Sequence, residues 1–218
     1  AALVSDPGSF LLVGLAPSLV PELSPYFSRG IHQEGLTLRT TSEIYGDDKS
    51  GYFLQTGGLH TVENDVTLGR LDTAFGLYLI DAPVDGVFRV RRDLVVGDAG
   101  RGLLQQVLGE TIVQRDLWFG KSTGGHGSGL IAGRFQVWND LIVGGYGEGL
   151  LAFTAVAPTP TVGSRIVLGL GAGSSGTLSL APAARIAATG SIIVGDAGTG
   201  LLGTGPIDPL APTATTQA

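Results

Sequence analysis

The chain has 218 residues and a formal net charge of −6, and 36 of its residues are glycine. Phosphate binding requires a basic face, so this acidic composition argues against a nucleic-acid partner. No apolar run reaches the roughly 18 residues of a membrane-spanning helix, and the absence of cysteine excludes disulfides and thiolate metal sites.

Residues 1–35 differ in composition from the rest of the chain. The segment Ser9–Gly14 reads SFLLVG and resembles a strand with a closing glycine, but Pro17, Pro21 and Pro25 follow it. Proline lacks the backbone N–H that a central strand requires. We therefore predict that this region forms one atypical turn and an irregular cap or assembly segment.

From residue 36 to about residue 204 the sequence repeats itself. The stretch LVVGDAGRGLLQQ, Leu94–Gln106, returns in related form from Leu141 and from Ile192. A weaker copy begins at Leu36 and carries Arg39 at the glycine position. In the other copies a glycine closes the first apolar run at intervals of 23 to 28 residues: Gly69, Gly97, Gly120, Gly144, Gly169 and Gly195. A period of this length is typical of a repeat architecture.

Each repeat contains three short apolar runs bounded by Gly and Asp, which we interpret as three strands. In one repeat these runs are Leu94–Val96, Leu103–Gln106 and Thr111–Gln114. Runs of this length do not have the three-and-four spacing of an amphipathic helix. We predict an all-β, single-stranded parallel β-solenoid of about seven to eight turns stacked about 4.8 Å apart. The closing glycines are predicted to be structural corners with positive φ and close chain approach.

The repeats also alternate in length. The segments Leu94–Gly102, Leu141–Gly149 and Ile192–Gly200 each span 9 residues, whereas Val66–Gly76, Leu117–Gly129 and Ile166–Gly176 span 11, 13 and 11. We therefore predict short and long corners on alternate turns, with a protruding loop on every second turn.

The last predicted segment is a Pro- and Thr-rich tail, residues 205–218, which reads GPIDPLAPTATTQA. Its composition predicts an extended chain. The repeat before it, Ile192–Thr204, keeps full apolar character where a terminal cap should become polar. We therefore expect the tail and the apolar segment Ser9–Tyr26 to engage neighbouring subunits.

The later repeats resemble those of bacterial autotransporter passengers and PEP-CTERM-associated surface proteins. The resemblance rests on VGDAGTGL at Val194–Leu201 and on IVLGLGAGSSGTL at Ile166–Leu178, with looser matches from Gly51 to Leu151. It implies a secreted or surface-anchored, non-enzymatic β-helix, often adhesive. The chain has no methionine, so we expect Ala1 to be either a mature N-terminus after signal-peptide removal or the start of a shortened chain.

A column of aspartates precedes the first strand of successive repeats: Asp65, Asp93, Asp116 and Asp140. Stacked carboxylates could catalyse glycoside hydrolysis or gather a hard cation such as Ca²⁺. Aspartate is also a common turn former, because its side chain can bond the backbone two residues further on. We favour the turn interpretation, since these residues recur in register with the repeat, which a single active site would not require.

Other candidate site residues give weaker signals. The histidines, His32, His60 and His126, fall at unrelated positions of different repeats, so we predict neither a metal cluster nor a catalytic triad. Trp118 is expected to face outward between inward Leu117 and Phe119, where it is either partly covered by neighbouring turns or free to stack on a sugar.

Together these patterns predict a non-enzymatic structural protein, extracellular or on a cell surface, without a cofactor. Its predicted partners are copies of itself, joined head to tail into a fibre or filament, with surface glycans as further partners. The alternative is a glycan-binding or carbohydrate-active β-helix of the polysaccharide hydrolase or lyase type, which would use Asp93, Asp116 and Asp140.

Overall fold

The computed structural model describes residues 3–4, 30–35, 37–82, 86–154 and 159–204, without side chains for residues 3–4, 30 and 31. The described chain consists of parallel strands in three sheets, and it passes through the sheets in the same order on every turn. This confirms the predicted all-β parallel β-solenoid, with seven turns between residues 38 and 204. The predicted tail, the SFLLVG segment and most of the predicted cap lie outside the described residues.

The first two sheets have short strands of two to four residues. Sheet 1 contains β1 Leu3–Val4, β3 Leu38–Thr40, β6 Leu59–Val62, β9 Val87–Val90, β12 Glu110–Val113, β15 Arg134–Val137, β18 Thr161–Val162 and β21 Ala187–Ala188. Sheet 2 contains β4 Glu43–Tyr45, β7 Val66–Leu68, β10 Leu94–Val96, β13 Leu117–Phe119, β16 Leu141–Val143, β19 Ile166–Leu168 and β22 Ile192–Val194.

Sheet 3 has the long strands, most of six residues. It contains β2 Gly30–Gln33, β5 Ser50–Gln55, β8 Phe75–Ile80, β11 Arg101–Gln106, β14 His126–Ile131, β17 Glu148–Phe153, β20 Ser175–Leu180 and β23 Thr199–Thr204. The strand predicted from Leu103 therefore begins two residues earlier, and the strand predicted over Thr111–Gln114 is Glu110–Val113. No helix in the described part of the chain is long and apolar enough to cross a membrane.

The corner between sheets 2 and 3 is sharp, and two glycines per turn make it so. The closing glycines have φ between 66° and 74°. A Cβ at Gly97 would lie 2.2 Å from the carbonyl oxygen of His126 in the next turn. A second glycine faces this corner in every turn: Gly51, Gly76, Gly102, Gly127, Gly149, Gly176 and Gly200. A Cβ at Gly102 would lie 2.2 Å from the backbone nitrogen of Gly97, so the two strands meet with no room for a side chain.

The interior of the rod is filled by stacked columns of like side chains. Sheet 1 contributes a valine column through Val62, Val90, Val113, Val137 and Val162, all buried. Sheet 2 contributes the first and third residue of each strand. At one level the fit is reciprocal: Phe119 occupies the space left by Gly129, where a Cβ would lie 2.7 Å from the Phe119 ring.

Short and long corners alternate as predicted. The connection from sheet 2 to sheet 3 has four residues in the turns of Gly46, Gly97, Gly144 and Gly195, and six in the turns of Gly69, Gly120 and Gly169. The prediction of a 13-residue segment ending at Gly129 is wrong. Gly127 pairs with Gly102 and Gly149, so the matching segment is Leu117–Gly127 and has the same length as its two relatives.

The alignment of the first turn was also wrong. Leu38–Thr40 belongs to sheet 1, because it pairs with β6, so Arg39 does not occupy the corner position. The sheet 2 strand of this turn is β4, whose Tyr45 pairs with Leu68. Gly46 follows it with φ 74° and is the corner glycine of the first turn.

Candidate functional site

The aspartate column forms a ladder of hydrogen bonds along the rod. Each Oδ1 accepts a hydrogen bond from the backbone N–H at the equivalent position of the next turn: Asp65 from Asp93 at 3.0 Å, Asp93 from Asp116 at 3.2 Å, Asp116 from Asp140 at 3.1 Å, and Asp140 from Arg165 at 3.0 Å. The expected bond to a backbone group two residues further on is therefore replaced by a bond between turns. These backbone N–H groups lie at the bend between sheets 1 and 2, where neither sheet provides them with an acceptor. The aspartate side chains provide one.

Positively charged or amide side chains accompany every carboxylate of this ladder. These contacts include Arg92 Nε to Asp65 at 3.7 Å, Arg115 Nε to Asp93 at 2.9 Å, Asn139 Nδ2 to Asp116 at 2.7 Å, and Arg165 Nε to Asp140 at 3.2 Å. Arg165 occupies the next position of the column itself and also donates through Nη2 to Asp140. The stacked negative charge is thereby offset along its length, and a cation follows the last aspartate.

The two most buried carboxyls of the ladder have opposite pKa shifts. Burial raises the pKa of Asp93, against the opposing effects of the Asp116 backbone N–H and Arg115. Hydrogen bonds from the Arg165 side chain lower the pKa of Asp140 and outweigh its burial. Within the described residues no group of three or more His, Cys, Asp or Glu side chains is placed to hold a metal ion. Because each Oδ1 already accepts a backbone N–H, the geometry favours a structural role for the column.

A second polar cluster, which the sequence reasoning missed, lies inside the first two turns. His60 is fully buried, and its Nδ1 lies 2.6 Å from the Tyr78 hydroxyl while its Nε2 lies 2.9 Å from Glu43 Oε1. Thr40 and Tyr45 donate their hydroxyl hydrogens to the two oxygens of Glu43, each at 2.7 Å. We call Glu43, His60, Tyr78, Gln55, Thr40 and Tyr45 the core polar cluster.

Burial shapes the acid–base properties of the core polar cluster. Burial disfavours the charged form of Glu43, but the charge of His60 and the hydrogen bonds from His60, Thr40 and Tyr45 outweigh it, so the pKa of Glu43 is lowered. Burial and the Glu43 charge raise the pKa of both Tyr45 and Tyr78 well above the ordinary value. Aromatic rings enclose the cluster: Phe53 is stacked on His60 at 4.7 Å between centroids, and Phe88 is tilted against it at 5.5 Å.

The three histidines do not come together. His60 is on sheet 1, whereas His32 is on β2 and His126 on β14, at separate levels of sheet 3. His126 Nδ1 lies 3.0 Å from Glu148 Oε2 in an exposed pair. The three histidines therefore lie at separate places in the described chain, and the sequence reasoning overlooked that His60 contacts both an acid and a tyrosine.

Trp118 is only partly exposed to solvent. Its side chain is half-buried between fully buried Leu117 and Phe119, and its Nε1 is buried without a hydrogen-bond partner among the described residues. Lys121 Nζ lies 5.7 Å from the ring centroid. The most exposed aromatic side chains of the described chain are Trp138 and Tyr146, which lie in different corners.

The C-terminal turn exposes side chains that belong to the interior columns. Ile192, Val194 and Leu202 are 45%, 47% and 43% exposed. Their partners in the preceding turn are Ile166, Leu168 and Leu178, each fully buried. Their strands are edge strands, paired on one side only within the described residues. We call Ile192, Val194 and Leu202, with the free edges of β21, β22 and β23, the open turn.

Comparison of the chain with protein-family models, with curated proteins and with solved structures found no match.

Proposed function

We propose that the protein is a structural subunit, extracellular or on a cell surface, whose rods associate end to end into a fibre or filament. The observation that carries this proposal is the open turn. The core of every inner turn is covered by the next turn, but the same columns are 43% to 47% exposed at Ile192, Val194 and Leu202. Apolar surface and unpaired strand edges of this kind favour association with a further strand layer.

The partner is a second copy of the chain. The open turn keeps apolar side chains at Ile192, Val194 and Leu202, while Thr204 follows Leu180 in a further inward column. Its corner VGDAGTG differs from that of the third turn, VGDAGRG, at one residue. A rung that matches the inner rungs in register and side chains is suited to receive another rung of the same kind. A contact between two different ends does not close on itself, so an open filament is its natural product.

The test compares two lysine substitutions on the same strand. Leu202 lies in the core column at the end of the rod, whereas Leu201 is 58% exposed and pairs with Thr177, outside the core. We expect Leu202→Lys to weaken association at least about tenfold, since burying an unpaired charge is strongly unfavourable. Leu201→Lys should associate as the unsubstituted protein does.

Association is measured by light scattering over a range of concentrations, with electron microscopy of the products. Circular dichroism of both variants at low concentration verifies that the rod is folded. If the unsubstituted protein stays monomeric at high concentration, or if both lysine variants assemble equally well, association through the open turn is wrong.

A further inference from the structure

We propose that Glu43 and His60 form a buried ion pair, a carboxylate with a doubly protonated imidazolium, which makes the packing of the first two turns dependent on pH. This inference does not rest on the proposed assembly function. It follows from the directions of the hydrogen bonds in the core polar cluster, which can be assigned one donor at a time.

The side chain of Gln55 is fully buried beside Tyr78. Its Nε2 donates to the carbonyl oxygens of Gly58 at 2.8 Å and Val87 at 3.1 Å. Both amide hydrogens are therefore used, and Oε1 is left as an acceptor. The Tyr78 hydroxyl lies 3.0 Å from that oxygen and donates its hydrogen to it.

The donors of His60 follow from this arrangement. Tyr78 has no second hydrogen, so the 2.6 Å contact between its oxygen and His60 Nδ1 requires Nδ1 to be the donor. On the other side of the ring, Nε2 faces Glu43 Oε1 at 2.9 Å, an oxygen that already accepts from Thr40. With Glu43 as a carboxylate, Nε2 must also donate, and both ring nitrogens then carry a proton.

The surroundings favour the charged form of this pair. Both Glu43 oxygens accept hydroxyl hydrogens, which stabilises a carboxylate. The imidazolium is stacked on Phe53 at 4.7 Å between centroids, within the range of a cation–π interaction. The elements that face His60 contribute Glu43 and Tyr45 from β4, Tyr78 from β8, and neutral or apolar Thr40, Phe53, Gln55 and Phe88. Glu43 is the charged group among these residues.

The pH dependence has a definite sign on each side. The lowered pKa of Glu43 means that its contribution to stability is present above the ordinary value of 4.5 and is lost as the pH falls through the lower value in the folded state. As the pH rises, the imidazolium loses its proton. Either the Tyr78 oxygen or the Glu43 carboxylate then faces a His60 ring nitrogen that carries a lone pair instead of a proton. The packing of the first two turns is weakened as a result.

The direct test is nitrogen-15 NMR of the imidazole ring in the full chain at neutral pH. We expect both His60 nitrogens to be protonated. His126, whose pair with Glu148 has a similar distance but about half-exposed side chains, is the reference for a solvent-accessible histidine in the same spectrum. A neutral His60 protonated at Nδ1 alone would overturn the proposal, because Glu43 would then hold the proton.

The second readout is hydrogen exchange of the amides in β4, β5 and β6, corrected for the pH dependence of intrinsic exchange. Between about pH 6.5, the ordinary value for an exposed histidine, and pH 9 we expect protection to fall, by up to about tenfold per pH unit while the folded chain still holds a proton that the opened chain has lost. Glu43→Gln should abolish this dependence, whereas Glu148→Gln, the matched change in the exposed pair, should preserve it. Protection in the unsubstituted protein that is constant over this range also contradicts the proposal.

Discussion

Asp93 illustrates how a side chain repeated in a solenoid column can be mistaken for part of an active site. Its Oδ1 accepts the backbone N–H of Asp116, and its Oδ2 accepts from Arg115 at 2.9 Å. Removing an acceptor from a buried donor costs more than removing both partners, because the donor is left without any hydrogen bond. The column therefore supports the bend between sheets 1 and 2 along the rod.

Two substitutions of Asp93 separate the stabilising effect of its backbone hydrogen bond from that of its ion pair. Asp93→Ala leaves the Asp116 N–H without its acceptor, and we expect a loss of about 1–3 kcal/mol in the free energy of unfolding. Asp93→Asn keeps the acceptor and gives up an ion pair with a half-exposed arginine, so it should cost less than about 1 kcal/mol. Urea unfolding measures both. Equal losses would mean that the charge, and not the backbone hydrogen bond, stabilises the column.

Residues of the ladder could be found from the sequence because they recur at one position of the repeat. The core polar cluster could not. Glu43, His60 and Tyr78 come from three different strands, and the first turn was aligned on Arg39 when its corner is Gly46. With that shift corrected, Glu43 falls opposite inward-facing Val66, which marks it as a buried carboxylate in need of a partner.

At the scale of the element, the glycine corner determines the repeat. The strands and the two glycines of each turn were largely visible in the sequence. Positive φ and close chain approach at a corner are local requirements that favour glycine. The alignment of the fourth turn was not visible, since HGSG offers two glycines, Gly127 and Gly129, and only the pairing of Gly127 with Gly102 selects between them. Phe119 fills the space left by Gly129. This contact depends on packing between two strands, so it cannot be recognised from one segment of the sequence.

Alanine substitutions at two corner glycines with nearly equal φ distinguish the cost of backbone strain from the cost of crowding. Gly97 has φ 71° and Gly195 has φ 72°. A Cβ at Gly97 would lie 2.2 Å from the next turn, whereas a Cβ at Gly195 would have its nearest contact at 3.3 Å. We expect Gly195→Ala to cost about 1 kcal/mol from φ alone, and Gly97→Ala about 3 kcal/mol or more. The comparison uses thermal or urea unfolding at low concentration. Similar losses would show that the close approach between turns is unimportant.

At the scale of the whole molecule, the rod has unlike ends. The N-terminal turns bury a charged pair and extend into β1 and β2, whereas the C-terminal turn leaves its core columns partly exposed. The regular period predicted the rod and the apolar character of its last described turn, which keeps Ile192, Val194 and Leu202 in the core columns. It could not predict a partner for that turn, since association depends on surfaces that lie outside any one repeat.

The measurement that tests this account most directly is fibre diffraction from the assembled protein, aligned along the filament axis. Strands in a solenoid run across the rod, so their spacing of about 4.8 Å lies along the rod axis. End-to-end association places that reflection on the meridian, parallel to the filament. A 4.8 Å reflection on the equator would mean that rods pack side by side, and a protein that forms no filaments at any concentration would contradict the proposed function altogether.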